Sequence, residues 1–200
     1  MTRRLLCLDL STTATGWSIF DLDTKILLEY GVIKPQKKGL AKLGYPEQQL
    51  RKLQDLSDQL KQLLATKEPI EVILIEEINR GIARLTQKVL DALHFMFLDR
   101  IEHRIKIVRY RDSDGATGWR KRLGLRLTEA DKELNRINGI ANRRRKKGTP
   151  KLKIINKKHL ACRFVNLKYG TTFNVDVQPT DGDICDSIGL GHSYLYQSDI

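Results

Sequence analysis

The segment 71–77, Glu-Val-Ile-Leu-Ile-Glu-Glu, constrains the fold more than any other part of the sequence. Its four consecutive aliphatic residues leave no polar position for a solvent-facing side, which is typical of a strand covered on both faces. Apolar residues recur at helical spacing over residues 47–64, and a second helix is predicted over residues 83–103. A covered strand between two helices indicates an α/β sheet.

Further strand signals lie on both sides of this unit. Residues 4–9, 15–20 and 26–33 are predicted as strands, and the short links between them favour an antiparallel meander. Residues 105–109 predict a fifth strand. The order of three strands, helix, strand, helix, strand and then helices predicts a mixed five-stranded sheet flanked by helices.

Capping residues predict three later helices. Thr128 begins one that runs into residues 143–147, and Asn156 begins another that ends before Gly170. The last helix is expected from Asp181 to about Tyr196.

The composition indicates one globular domain over residues 1–200. The chain is 40% hydrophobic and 30% charged, and a chain of this length buries a core without disulfides or a structural metal. Three cysteines without a C-x-x-C pair predict neither a disulfide framework nor a zinc site, and they fit a reducing compartment. No apolar run has membrane-spanning length, and the first residues lack the apolar stretch of a secretory signal. A cytoplasmic location is therefore expected.

The net charge of +12 is unevenly distributed. Residues 100–170 carry 22 Lys/Arg against 6 Asp/Glu, a net charge of +16. Residues 171–200 carry five Asp and no Lys or Arg. The basic middle predicts a polyanionic partner, and the acidic end predicts a bound cation.

Acidic residues fall where an active site can assemble. Asp9 ends the first strand, Glu76 and Glu77 end the fourth, and Asp183 and Asp186 share a face of the last helix. Neighbouring first and fourth strands would place Asp9 and Glu76 at one sheet edge. Such a cluster repels itself unless a divalent cation neutralises it, and carboxylate oxygens suit Mg²⁺ or Mn²⁺. Two ions can activate water and stabilise the leaving oxygen of a phosphodiester. The alternative is that these acids merely end strands and begin a helix.

Three motifs carry a family resemblance: Leu-Asp-Leu-Ser at 8–11 with Thr-Gly-Trp at 15–17, Ile-Glu-Glu at 75–77, and Asp-Ile-Cys-Asp-Ser-Ile-Gly-Leu at 183–190. In this order they resemble the RuvC-like Holliday junction resolvases, most closely their phage-encoded branch. Segments 119–124 and 157–161 also look like that branch, whereas residues 126–154 are longer and more basic than the linker of the bacterial cellular enzymes.

The resemblance implies an RNase H-like fold with a basic helical insertion at roughly 112–155. It implies that Asp9, Glu76, Asp183 and Asp186 bind two Mg²⁺ ions, for which Mn²⁺ can substitute, while Glu77 is the weaker ligand candidate. It also implies a homodimer that nicks four-way and other branched DNA junctions symmetrically, leaving 5′-phosphate and 3′-hydroxyl ends.

Basic residues are the candidates for DNA contact, because a run of cations neutralises phosphates without reading bases. Trp119 is predicted either to stack on an unpaired base or to anchor the core. Lys158, or its neighbour, is also a candidate to stabilise the charge that develops in the reaction. The full set of predicted DNA-binding residues is Trp119, Arg120, Arg143, Arg144, Arg145, Lys146, Lys147, Lys157 and Lys158.

The second helix is apolar around much of its circumference, so it is either deeply buried or paired with a second subunit. A four-way junction has two-fold symmetry, which favours a C2 dimer. Neither a membrane nor a small-molecule substrate is expected. The four histidines are poor ligand candidates, and no cysteine has the neighbours of a nucleophile.

Three other functions compete with this interpretation. Actin-like and sugar kinases share an Asp-led phosphate loop, but they need two domains and a Gly-rich adenosine site. A non-catalytic architectural DNA-binding protein would use the basic stretch and not the acids. Another RNase H-fold nuclease, acting on RNA–DNA hybrids or as a transposase, would use the same four carboxylates, since fold does not decide substrate.

Overall fold

The computed structural model describes residues 3–36, 39–67, 69–77, 84–101, 105–111, 118–146 and 148–196. Its strands are β1 (Arg4–Asp9), β2 (Thr15–Asp21), β3 (Leu27–Ile33), β4 (Ile70–Glu77) and β5 (Lys106–Arg111). Its α-helices are α1 (Glu47–Thr66), α2 (Arg84–Leu98), α3 (Trp119–Arg122), α4 (Glu129–Arg143), α5 (Lys157–Tyr169) and α6 (Asp181–Leu195). A short 3-10 helix at Leu40–Lys42 precedes α1.

The five strands form one mixed sheet in the order β3-β2-β1-β4-β5. The first three strands are antiparallel, which confirms the predicted meander, and β1, β4 and β5 are parallel. In the β1–β4 ladder Leu8 pairs with Ile75, so Asp9 and Glu76 end neighbouring parallel strands at the same edge. In the β1–β2 ladder Asp9 lies opposite Gly16.

Hydrophobic clusters cover both faces of the sheet, because successive strand residues point to opposite sides. Leu5, Cys7 and Leu74 pack under α3, α5 and α6. Leu6 and Ile73 pack under α1 and α2. The prediction that β4 is covered on both faces is confirmed.

Glycines bring α6 unusually close to the sheet. A Cβ at Gly16 would lie 1.9 Å from the carbonyl oxygen of Asp183. A Cβ at Gly191 would lie 2.4 Å from Cε2 of Phe20 and 2.6 Å from Sγ of Cys7. A larger residue at either glycine would push α6 away from the sheet. These two glycines therefore set how closely the acids of α6 approach β1.

Helix ends follow the capping residues more closely than the apolar pattern. Thr128 and Asn156 form capping boxes, and Gly170 ends α5 with a φ of 65°. The prediction of a helix to residue 103 is wrong at its end: α2 stops at Leu98, and a turn follows. No described helix is long and apolar enough to cross a bilayer.

The surface of α2 is mixed. Leu93 and Phe97 are fully buried against the α1 side, whereas the Phe95 side chain on the other side is 73% exposed. One side of α2 is therefore buried in the core, and Phe95 on the other side is exposed and available for contact with a second subunit. The homodimer stays a prediction.

Candidate active site

Four predicted acids lie at one end of the sheet. Asp9 and Glu76 end adjacent strands, and α6 carries Asp183 and Asp186 in its first two turns, packed on β2 beside Gly16. The pKa of Asp9 is raised well above its usual value, first by burial and then by the charges of Asp186, Glu76 and Asp183. The four carboxylates are therefore within electrostatic reach of one another.

Two cations stand among these acids. The guanidinium of Arg120 pairs with Glu76 at 3.1 Å and with Asp186 at 3.0 Å. The ammonium of Lys158 is hydrogen-bonded to Asp183. Burial lowers the pKa of Lys158, but the hydrogen bond and the charge of Asp183 and the charges of the other acids outweigh it, so the pKa is raised. These side chains neutralise part of the acidic cluster.

The predicted base-stacking role of Trp119 is wrong, because its ring is fully buried. Its Nε1 donates to Oε1 of Glu76 at 2.9 Å, the same oxygen that Arg120 contacts. The Arg120 guanidinium also lies 4.2 Å from the Trp119 ring centroid. The structure thus supports the alternative, a core anchor, and it places Arg120 with the carboxylates rather than on an open basic surface.

Helix α3 is held in place by a glycine of α6. A Cβ at Gly189 would lie 2.5 Å from Cζ3 of Trp119, so only glycine leaves room for the indole. The sequence predicted no element for this Gly- and Arg-rich segment. A tryptophan next to an arginine was the available signal, but their common partner, Glu76, is more than forty positions away.

Lys158 reaches the site from the first turn of α5. The Asn156 side chain accepts hydrogen bonds from the backbone N–H groups of Lys158 and His159, which fixes this turn. The Lys158 stem also covers Gly182, where a Cβ would lie 2.6 Å from the lysine Cδ. Lys158 is therefore a positioned member of the acidic cluster.

Most of the other predicted DNA-binding residues that the structure describes are exposed. Arg143, Arg144, Lys146 and Lys157 are exposed, and Arg145 is half-buried with a hydrogen bond to the carbonyl of Thr149. Lys147 lies outside the described residues, as does the side chain of Glu77. DNA binding by these cations stays a prediction.

Two histidines, His192 and His159, and the three cysteines take structural positions. Burial, with the charge of Lys168, lowers the pKa of His192 to about 4, and its ring contacts the Tyr169 hydroxyl at 2.8 Å. His159 completes the Asn156 capping box and contacts Asp176. The three cysteines are buried free thiols.

The donor set suits a hard divalent cation in its chemistry. Carboxylate oxygens are the ligands that Mg²⁺ prefers, and a positive ion would offset the repulsion that raises the pKa of Asp9. Among the described residues, however, no group of three or more His, Cys, Asp or Glu side chains stands at coordinating geometry. The physical reason is visible in the pairs: Arg120 and Lys158 hold three of the four acids.

No family model and no curated protein matches the sequence. The fold does match solved structures along almost its whole length. Thermus thermophilus RuvC in complex with a Holliday junction substrate matches with a TM-score of 0.55 at 10% identity, covering 98% of this chain and 96% of that one. A second Thermus thermophilus RuvC structure matches at 0.54 and 12%, with the same coverage. The fowlpox virus Holliday junction resolvase matches at 0.41 and 14%, covering 98% and 99%.

The two RuvC structures establish the fold. The chain has an RNase H-like, RuvC-type architecture, which confirms the predicted fold class. The phage-type branch stays a prediction.

Proposed function

We propose that this protein is a metal-dependent endonuclease that cleaves four-way DNA junctions, and other branched DNA, by symmetrical nicks. The observation that carries the proposal is the meeting of Asp9, Glu76, Asp183 and Asp186 at one edge of a RuvC-type sheet. Acids brought together at such energetic cost favour a function over a structural role, because a buried carboxylate is destabilising unless something neutralises it.

Mg²⁺ is the proposed cofactor, with Mn²⁺ as a substitute, and the same four acids are its proposed ligands. When bound, a pair of such ions would activate water and stabilise the leaving oxygen of the phosphodiester. To receive the ions, Glu76 and Asp186 would have to loosen their pairs with Arg120, and Asp183 its pair with Lys158.

The two released cations would remain at the site. Each stands within a side chain's reach of the acids, so each could turn towards the scissile phosphate and offset its negative charge. For Lys158 this is the charge-stabilising role proposed from the sequence. Arg120 has the fixed fork of donors that suits a phosphate.

The DNA partner is supported by charge. The excess of +16 over residues 100–170 provides phosphate contacts, and Arg143–Lys147 and Lys157 are its proposed centres. A homodimer would supply two acidic clusters for the paired cuts of a two-fold junction.

A substrate panel tests the proposal. The full chain in Mg²⁺ would be given a labelled four-way junction, a linear duplex of the same sequences and an RNA–DNA hybrid. Paired nicks in opposite junction strands, with the linear duplex intact, are expected. Preferential cutting of the hybrid would overturn the substrate and favour another RNase H-fold nuclease. Junction binding with no cleavage in Mg²⁺ or Mn²⁺ would overturn the enzyme and favour an architectural protein.

A further inference from the structure

Three asparagines of α4 tie an extended segment to the helix. Asn135, Asn138 and Asn142 are spaced i, i+3 and i+7, so they lie along one face. Their side chains hydrogen-bond the backbone of residues 152–155, which we call the strap. The sequence analysis gave these asparagines no role.

Two of the asparagines bind in both directions. Asn135 donates to the carbonyl of Ile155 at 2.8 Å and accepts from its N–H at 2.7 Å. Asn142 donates to the carbonyl of Leu152 at 3.0 Å and accepts from its N–H at 2.7 Å. Asn138 donates to the Lys153 carbonyl at 2.7 Å. These contacts pair both backbone groups of Leu152 and Ile155 and the carbonyl of Lys153, as a sheet neighbour pairs part of a strand.

The strap runs antiparallel to α4, since Ile155 lies opposite Asn135 and Leu152 opposite Asn142. Together α4 and the described residues 144–146 and 148–155 form a hairpin-like element, which we call the arm. Its far end, which we call the tip, consists of residues 143–146 and 151. Arg143, Arg144, Lys146 and Lys151 are exposed there.

The near end of the arm is fixed to α5, the helix that carries Lys158. Asp131 closes the α4 capping box and receives two hydrogen bonds from Arg163 of α5, at 2.6 and 2.8 Å. Ile155 is 4% exposed. The next residue, Asn156, caps the helix that carries Lys158 to Asp183. The strap therefore leads directly into the acidic cluster.

Charge is segregated along the arm. The acids of α4 all lie in its first turns, the last being Glu133, and no further Asp or Glu occurs until Asp176. Eight Lys or Arg residues follow Glu133 within the arm, and of these Lys153 pairs with Asp176 at 2.5 Å. The cations of the tip attract phosphate, and long side chains on a shaped backbone follow a duplex without reading bases.

The geometry points to a preformed DNA clamp. We propose that the hydrogen bonds of Asn135, Asn138 and Asn142, which we call the Asn ladder, hold the arm rigid, so that its tip grips the backbone of one of the junction's duplexes. This inference rests on the proposed function. The twelve steps from Asp131 to Arg143 span about 18 Å at 1.5 Å each. At 3.4 Å per base pair, the arm reaches along about five base pairs of duplex beyond its fixed end.

Two double variants test the grip. Arg143→Ala/Arg144→Ala removes two tip cations, and Arg51→Ala/Lys61→Ala removes two cations from the exposed side of α1 as a matched control. Junction binding would be measured against salt concentration in EDTA, with hydroxyl-radical footprinting. The tip variant should lower the salt slope by about 2 and lose protection over one stretch of duplex that the natural protein protects. The control should keep both. Equal behaviour of the two variants would overturn the proposal.

A third variant tests the ladder itself. Asn138→Ala/Asn142→Ala changes no charge and favours helix, so α4 should persist. The Leu152 amide should exchange its hydrogen about fivefold to tenfold faster, and the footprint of the tip should weaken. Unchanged exchange and footprint would refute the ladder. If junction binding depends on the tip but no cleavage occurs, the clamp is supported and the nuclease is refuted. If cleavage occurs and the tip is dispensable for binding, the nuclease is supported and the clamp is refuted.

Discussion

The replacement Gly16→Ala should disturb the site through backbone contact alone. The new Cβ would lie 1.9 Å from the Asp183 carbonyl oxygen, and ordinary contact begins at about 3.4 Å, so the two must separate by about 1.5 Å. Strand backbone lies on one side and helix backbone on the other, so no side chain can turn away. The N-terminal end of α6 has to move.

Two consequences of this movement can be measured. Overpacking of this kind costs typically about 1–3 kcal/mol in the free energy of unfolding. The movement also carries Asp183 away from Asp9, which lies opposite Gly16 in the ladder, and a displacement of about 1 Å at an active site can cost about 100-fold in rate. Urea unfolding and junction cleavage would report the two effects separately.

Two other glycines provide controls. Gly139→Ala has no atom within 4 Å of its Cβ and should gain up to about 1 kcal/mol, with cleavage unchanged. Gly191→Ala meets Phe20 and Cys7 instead of the acids, so it should lose stability but retain more activity per folded molecule. If Gly16→Ala unfolds at the same urea concentration as the natural protein and cleaves at the same rate, the close approach of α6 is refuted.

Three further predictions concern charge and use urea unfolding. In EDTA at pH 7, Asp9→Asn should have a higher free energy of unfolding than the natural protein, because folding raises the pKa of Asp9 and so disfavours its charged form. A carboxyl of this kind destabilises the fold as pH rises through its folded pKa. The gain in Asp9→Asn should therefore shrink towards pH 4. Arg120→Met should lower the free energy of unfolding by about 3 kcal/mol in EDTA, because the nearly buried Glu76 and Asp186 lose their counter-ion. The loss should be smaller in Mg²⁺, since the metal would replace the missing positive charge. Equal losses in EDTA and Mg²⁺ would contradict the counter-ion role of Arg120. Asp131→Asn should have a lower free energy of unfolding at neutral pH, because Arg163 holds the pKa of Asp131 well below its usual value. The difference should begin to shrink as pH falls below about 4 and should keep shrinking towards the folded pKa; a pH-independent difference would contradict this.

Local patterns were sufficient to predict most of the fold. Strand length, short links and caps identified β1, β2 and β3 and the starts of α4 and α5. The sequence could not predict that β1 and β4 are neighbours; it showed only that Asp9 and Glu76 would meet if they were. The parallel β1–β4 ladder of the structure shows that they are.

The remaining features depend on contacts between distant residues. Trp119 and Arg120 resemble a DNA-contacting pair because the sequence does not show that Glu76 lies beside them. Asn135 and Asn142 resemble a solvated helix face, since the strap has no strand periodicity of its own. A glycine inside a strong strand, such as Gly16, was the one local signal of a close backbone approach.

The central claim is that one acidic cluster performs the cleavage. Its most direct test compares the natural protein with Asp9→Asn and with the surface variant Asp58→Asn on a labelled four-way junction, measuring binding in EDTA and cleavage in Mg²⁺. We expect all three proteins to bind the junction, and only Asp9→Asn to lose the paired nicks. Cleavage by Asp9→Asn at the natural rate would contradict the account, because the acid that β1 delivers to the cluster would then be dispensable.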